Sequence, residues 1–181
     1  MLDVTAPLSR PRDAQRSRVY RAEDSWASRL DAARRGAALA SVGGSSVLLP
    51  SELRFGTLAA ASDYAARVLV LPEVTALAGT LPVPELRPRR GQLAAHWEPP
   101  GVIALPMPRH GEPWALRESV LLHELAHHVV ELSWRTTAQG PTHGPPFPAA
   151  VLLLVRAALG EEAAFALRVA YGETNVDVGV L

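Results

Sequence analysis

The sequence predicts an α+β fold in which a small antiparallel sheet packs with helices. Three observations lead to this class: short strand-like runs between residues 83 and 105, apolar helical patterns on both sides of them, and a central helix that contains two histidines four residues apart. The chain has 181 residues, 48% of them hydrophobic, and no cysteine. Such a chain can bury one core without disulfides, so we expect a single domain over residues 19–181.

The first part of the chain is predicted to be mainly helical. Residues 1–18 mix Asp, Pro and Arg without an apolar run, which indicates a disordered segment and no secretory signal. Residues 19–39 have the pattern of a helix that ends at Gly43 and Gly44. A short apolar run follows at residues 47–49, and the alanine-rich residues 58–70 favour another helix.

The second part is predicted to contain the sheet and then the longest helix. Two or three strands in residues 83–105, separated by turns such as Pro99-Pro100-Gly101, indicate an antiparallel meander. Residues 114–132 are predicted to form one continuous helix with apolar residues on nearly all sides, so it should be central and buried. Residues 148–159 and 161–171 are predicted to form two further helices, with Gly160 between them.

The central helix contains the sequence His123-Glu124-Leu125-Ala126-His127. A helix turns by about 100° per residue, so His123 and His127 lie about 40° apart on one face and can bind one ion together. The Glu124 carboxylate lies beside this face, within reach of a water in an open coordination position. The motif therefore predicts a zinc site with Glu124 as general base. Two core histidines bonded to carbonyl or carboxylate groups are the alternative.

A catalytic zinc site needs a third protein ligand from elsewhere in the fold. His143 is the best placed, because it follows a loop rich in Pro and Gly and precedes an apolar helix. An acidic ligand such as Glu161 or Glu162 is an alternative, and so is a solvent-exposed loop histidine that binds no metal. His128 falls about 140° from His123, so we expect a structural role for it. Weaker candidates for stabilising a reaction intermediate, for which a structural role is favoured, are His96, His110, Arg109 and Tyr171.

The metal segments resemble a known domain. They are similar to the SprT-like metalloprotease domain, whose signature pairs HExxH with a downstream H-G-x-x-[FW] segment. Here the first segment is residues 123–127, and after a spacer of fifteen residues the second is His143-Gly144-Pro145-Pro146-Phe147. The chain also resembles, over most of its length, a family of small metallohydrolases from high-GC bacteria, through residues 20–24, 94–98, 103–106 and 114–118. Both resemblances imply a zincin-like fold with three histidine ligands and a catalytic glutamate, at His123, His127, His143 and Glu124.

The expected function is that of a zinc-dependent metallohydrolase, with hydrolysis of peptide bonds by a zinc-activated water as the default chemistry. The partner would be a peptide or protein substrate, which could pair with the strand near residues 103–105. A zinc-binding protein with a structural or regulatory role and no catalysis is the alternative.

Composition limits which other binding partners are expected. The formal net charge is zero and a cysteine-based zinc ribbon is impossible, so nucleic-acid binding is not indicated. No apolar run approaches the length of a membrane span, and we expect a soluble cytoplasmic protein. Oligomeric state is left open. Two arginine clusters are expected to be solvated surface, namely Arg10, Arg12, Arg16, Arg18 and Arg21, and Arg87, Arg89 and Arg90.

Overall fold

The computed structural model describes residues 12–89, 94–107, 114–134 and 140–179. These ranges contain helices and two small sheets, which confirms the predicted α+β class. The helices are α1 (Arg16–Arg34), α2 (Leu58–Leu69), α3 (Pro72–Ala78), α4 (Glu118–Ser133), α5 (Pro146–Leu159) and α6 (Glu161–Glu173), and a 3₁₀ turn spans Trp114–Leu116. The strands are β1 (Leu39–Val42), β2 (Ser45–Leu48), β3 (Glu85–Arg89), β4 (His96–Glu98) and β5 (Val102–Pro106).

The N-terminal helix differs from its prediction at both ends. It begins at Arg16, inside the segment expected to be disordered, and residues 1–11 lie outside the described residues. It ends before Gly36, whose φ of 99° is a conformation that glycine adopts without strain. Gly43 and Gly44 form the turn of the β1–β2 hairpin instead, with φ values of 55° and 81°. Two consecutive positive φ angles are typical of the tight turn that joins antiparallel strands.

The second sheet is mixed, so the predicted antiparallel meander is wrong. Its strand order is β3-β5-β4, with β3 parallel and β4 antiparallel to β5. The central position of β5 in this sheet explains the difference, because its residues Ile103, Ala104 and Leu105 are fully buried. A continuous apolar run of this kind is typical of a strand at the centre of a sheet that is covered on both faces. The Pro99-Pro100 turn places β4 on one side of β5, and β3 takes the other side.

Because β5 is paired on both sides, it has no free edge for a substrate. The backbone groups of residues 103–105 are already used by β3 and β4, so a peptide could pair there only by displacing one of them. The expected peptide-binding strand is therefore incorrect. β4 is an edge strand of this sheet instead.

The start of α4 is fixed by polar contacts, which interrupt the predicted continuous helix. Arg117 has an extended backbone and forms an isolated bridge with Arg54, so it separates the 3₁₀ turn from α4. The backbone N–H of Glu118 donates to Leu53 O, and the Glu118 carboxylate accepts from the Leu53 N–H at 2.8 Å. The Tyr64 hydroxyl donates to the same carboxylate. Beyond this anchor α4 is buried on nearly all sides, as its sequence predicts.

The C-terminal helices confirm the predicted pattern. Helix α5 begins at Pro146 and packs against α4, and Gly160, with a φ of 94°, separates it from α6. Helix α6 packs in turn against α1, which closes the core around α4 and α5. Across the described ranges, none of the helices combines the length and the hydropathy needed to cross a bilayer.

The Glu118 anchor makes stability depend on pH. Burial raises the pKa of Glu118, so the folded chain keeps a proton at pH values where the unfolded chain has released it. Stability should therefore fall as the pH rises above the ordinary glutamate range and through this raised pKa. We expect Tyr64→Phe, which removes a hydrogen bond to the ionised carboxylate, to cost about 1–3 kcal/mol at neutral pH and less in acid. Urea unfolding at several pH values measures this; a cost that is independent of pH would contradict it.

Candidate metal centre

Three histidines converge on one point. His123 and His127 come from one turn of α4, and His143 comes from the loop before α5. Their ligand atoms all lie within 4.8 Å of one another, which is close enough to bind one metal ion. His123 and His143 are only 6% and 4% exposed, and His127 is half-buried. The predicted convergence of these three side chains is confirmed.

Two histidines of this cluster and the neighbouring Glu124 have buried polar atoms without partners. His123 Nε2, His143 Nε2 and Glu124 Oε2 are buried, and each lacks a hydrogen-bond partner. An unsatisfied buried polar atom costs free energy, and such atoms are rare in native proteins. A divalent cation bound by the imidazoles would satisfy both ring nitrogens. The residues therefore fit a metal site.

Carboxylates from the N-terminal part of the chain orient two of the rings. His123 Nδ1 lies 2.6 Å from Glu23 Oε2, and His143 Nδ1 lies 2.6 Å from Asp13 Oδ2. A ring that donates its Nδ1–H to a carboxylate has its Nε2 lone pair free for a metal. Glu23 also accepts a hydrogen bond of 2.7 Å from the Tyr171 hydroxyl, which fixes the carboxylate. Two of the three rings are thus held in the tautomer that metal binding requires.

These two carboxylates were not identified from the sequence as partners of the histidines, although the position of Glu23 in its helix could have indicated such a role. It lies four residues after Val19 and three before Trp26, on the stripe by which α1 packs into the core. An acidic residue on a buried stripe needs a partner, and this could have marked it. Asp13 carries no comparable signal, because it lies in a segment without periodicity.

The loop that carries His143 is held by backbone and amide contacts. The Gln15 side chain donates to His143 O at 2.6 Å, and the Gly144 N–H donates to Pro141 O at 2.8 Å. A Cβ at Gly144 would lie 3.0 Å from Pro141 O, so glycine permits this close turn. Phe147 is buried beneath the site, with its ring centroid 4.3 Å from that of His127 and 4.8 Å from those of His123 and His143. It packs against all three imidazoles.

Glu124 is 3% exposed and lies beside the histidines. Burial raises its pKa, and this outweighs the opposite effects of His123 and of the backbone N–H of Trp97. Burial lowers the pKa of His123, but the combined effects of the Glu23 carboxylate and of the Glu124 charge outweigh it, so this pKa is raised. At His143, burial lowers the pKa by more than the Asp13 carboxylate raises it, so the pKa of this ring is lowered. The pKa of Tyr20 is raised, first by burial and then by the charge of Glu124.

Two cavities flank the candidate metal site. One, of about 370 Å³, is lined by His127, His143 and the β4 residues His96 and Trp97. The other, of about 290 Å³, lies on the side of His123 and reaches the apolar residues beneath α1. Side chains that line both cavities are Tyr20, Ala94, Ala95 and Glu124. Glu124 is therefore accessible from a cleft despite its burial.

The other histidines that the structure describes have separate roles. His128 is fully buried; its Nε2 lies 2.8 Å from Pro82 O, and its Nδ1 accepts from the Trp97 indole at 3.1 Å. This is the structural role expected for it. His96 lies between the Arg89 guanidinium and the Glu98 carboxylate, 2.7 Å from each.

The remaining candidates lie away from the cleft or outside the described residues. Glu161 and Glu162, the alternative third ligands, are exposed at the start of α6 and are not part of the histidine cluster. The Tyr171 hydroxyl donates its hydrogen bond to the Glu23 carboxylate. Arg109 and His110 lie outside the described residues.

Several arginines of the two clusters are paired. Arg87 makes two hydrogen bonds to the Glu98 carboxylate, at 2.6 and 2.7 Å, and Arg87 holds the pKa of Glu98 below its usual range. Arg89 donates to Ala94 O as well as to His96, and Arg18 donates to Asn175 O. Arg10 and Arg90 lie outside the described residues. The paired arginines leave less free positive charge for a polyanion.

No protein-family model, curated protein or solved structure matches this chain. The resemblance to SprT-like domains and to the small metallohydrolases therefore stays a prediction from the quoted residues.

We expect Glu23→Gln to weaken metal binding. The amide cannot accept the Nδ1–H of His123 with the strength of a carboxylate, so the ring loses its orientation and some basicity. Changes of this kind typically cost about 10–100-fold in metal affinity. Competition titration of the purified protein with zinc and a chromophoric chelator measures this. Glu162→Gln makes the same chemical change at an exposed position and serves as the control; equal affinities for the two variants would exclude the orienting role.

Proposed function

We propose that this chain is a zinc-dependent metallohydrolase with a zincin-like fold that hydrolyses peptide bonds. One observation carries the proposal: His123 Nε2, His143 Nε2 and Glu124 Oε2 are buried without hydrogen-bond partners, and these residues line the two cavities beside the cluster. A set of three imidazoles with a neighbouring carboxylate is the arrangement that catalytic zinc sites use. Among the described residues, the metal-binding cluster contains three ligands and no fourth, which favours a site with an open position.

Zinc is the ion that best suits these ligands. Neutral imidazole nitrogens bind Zn²⁺ in tetrahedral sites, whereas Mg²⁺ and Ca²⁺ prefer oxygen ligands. When bound, the ion supplies Lewis-acid chemistry and makes a water molecule nucleophilic near neutral pH. His123, His127 and His143 would hold it, and Glu23 and Asp13 would orient two of these rings.

Glu124 is the general base in this proposal. Its pKa is raised, which brings its proton affinity closer to that of a base operating near neutral pH. Glu124 accepts a proton from the attacking water and returns it to the nitrogen that leaves when the C–N bond breaks. The oxygen lacking a partner, Oε2, is available for this proton.

The cleft and β4 support a peptide as the proposed substrate. This strand lies at the edge of the sheet, and the residues before and within it line the cavity next to His127 and His143. An extended peptide that pairs with an edge strand gains backbone hydrogen bonds with little dependence on sequence. We propose that β4, rather than β5, binds the substrate backbone and places one peptide bond beside Glu124.

The central test is Glu124→Gln. This change keeps the size of the side chain and leaves the three histidines intact, but it removes the proton acceptor. The variant should retain one zinc per chain and lose about 10²–10⁴-fold in turnover of fluorescein-labelled casein. Metal analysis and the cleavage assay are made on the same samples, with Glu162→Gln as the matched control. Undiminished cleavage by the zinc-loaded Glu124→Gln protein would exclude Glu124 as the base.

His143→Ala tests whether His143 is a zinc ligand, and the number of protein ligands then separates a catalytic site from a structural one. Loss of one of three ligands should remove most of the bound zinc, whereas His128→Gln, which alters a buried histidine outside the cluster, should keep it. Metal content after purification and gel filtration gives the answer. If His143→Ala keeps its zinc, the ion is bound elsewhere. If spectroscopy of the wild type finds a fourth protein ligand, the non-catalytic zinc protein becomes the better description.

A further inference from the structure

Tyr20 lies between the two cavities that flank the candidate metal site. It lines both of them, as Glu124 does. Its ring centroid is 5.2 Å from that of His123 and 5.4 Å from that of His143. A substrate that extends from one cavity to the other must therefore pass the tyrosine ring and the glutamate.

The helical spacing of α1 explains why Tyr20 is found there. Arg16, Tyr20 and Glu23 are separated by four and three residues, so they share one face of the helix. The Glu23 carboxylate on this face binds His123 Nδ1. The contact that orients a metal ligand therefore also fixes the position of the tyrosine one turn earlier.

We propose that the Tyr20 hydroxyl donates a hydrogen bond to the carbonyl oxygen of the scissile peptide bond when that oxygen becomes negatively charged. This rests on the proposed peptidase function. In the step concerned, a water oxygen bonds to the carbonyl carbon, its proton goes to Glu124, and the carbonyl π electrons move to the oxygen. Tyr20 keeps its proton and only donates the hydrogen bond. The C–N bond then breaks, and the nitrogen takes the proton from Glu124.

The chemistry of a phenol suits this role. A tyrosine hydroxyl is protonated near neutral pH and is therefore a donor. A donor already placed where charge develops needs no reorganisation during the reaction, and removing one such donor typically costs about 10²–10³ in kcat. The buried surroundings of the site strengthen the interaction further.

Several other donors in the described residues near the cleft are already engaged. His96 is engaged by Arg89 and Glu98, the Trp97 indole N–H by His128, and the Tyr171 hydroxyl by Glu23. Arg16 is exposed, and its guanidinium lies 5.5 Å from the centroid of the Tyr20 ring. A hydrogen bond and the charge of Arg16 act on Tyr20, so Arg16 can support the developing oxyanion through the tyrosine.

The kinetic test compares Tyr20→Phe with the wild type, both full-length and loaded with zinc. With labelled casein as the substrate, kcat should fall about 10²–10³-fold while KM and zinc content stay unchanged, because the hydroxyl acts only when the oxyanion forms. Arg16→Gln should lose less than Tyr20→Phe. Tyr64→Phe removes a phenol hydroxyl that lines neither cavity, and at a temperature where circular dichroism shows it folded it should keep its kcat. An unchanged kcat in Tyr20→Phe, or a loss confined to KM, overturns the proposal.

A second readout does not depend on turnover. A phosphinic alanine tripeptide carries a tetrahedral, negatively charged centre, and calorimetry gives its affinity for zinc-loaded wild type and Tyr20→Phe. The variant should bind it roughly 10- to 100-fold more weakly, as expected for loss of a hydrogen bond to a charged group. Equal affinities overturn the role of Tyr20. A wild type that binds zinc but cleaves nothing contradicts the peptidase proposal instead, and the phosphinic peptide still decides whether Tyr20 is an oxyanion donor.

Discussion

Two buried imidazoles can present free nitrogens to one point only if their opposite nitrogens are held elsewhere. Here Glu23 and Asp13 hold them, each at 2.6 Å. Without these carboxylates the rings of His123 and His143 could rotate, and either nitrogen could carry the proton. The candidate metal site thus depends on charges that lie outside the helix and loop that carry its ligands. Phe147 adds a packed surface beneath all three rings.

The rest of the fold serves to keep these groups together. Helix α4 is anchored at its start by the contacts of Glu118 with Leu53 and Tyr64, and it packs along α5. Helix α6 brings Tyr171 to Glu23, so the C-terminal part of the chain secures the carboxylate that orients His123. Gln15 bonds both the carbonyl of His143 and the backbone of Asp177. Asp13 and Gln15, which precede α1, are therefore part of the site.

Local geometry explains what the sequence could predict. His123 and His127 share a helix face because their spacing is set by the helix itself, and His143 follows from the break in the chain before α5. The long-range features could not be predicted in this way. Glu23 and Asp13 are 100 and 130 residues from their histidines, and the parallel pairing of β3 with β5 depends on which strand the core buries.

The glycines also show which features local sequence can predict and which depend on pairing with another segment. Gly43 and Gly44 were predicted to end a helix, and they form the turn of a hairpin instead. Residues 39–42 lack a strong strand signal of their own. Only one residue of that strand, Val42, is buried, so alternation is weak. The strand exists because it pairs with β2 across the turn. Gly160, by contrast, was identified from a clear end of an apolar helix.

The most direct measurement is anomalous X-ray diffraction from crystals of the zinc-loaded protein, recorded on both sides of the zinc absorption edge. A single strong peak is expected about 2.0–2.1 Å from the Nε2 atoms of His123 and His143 and from one ring nitrogen of His127, with one coordination position open to the cleft beside Glu124. A peak bound by other residues, or one whose coordination is completed by a fourth protein side chain, would contradict the proposed centre.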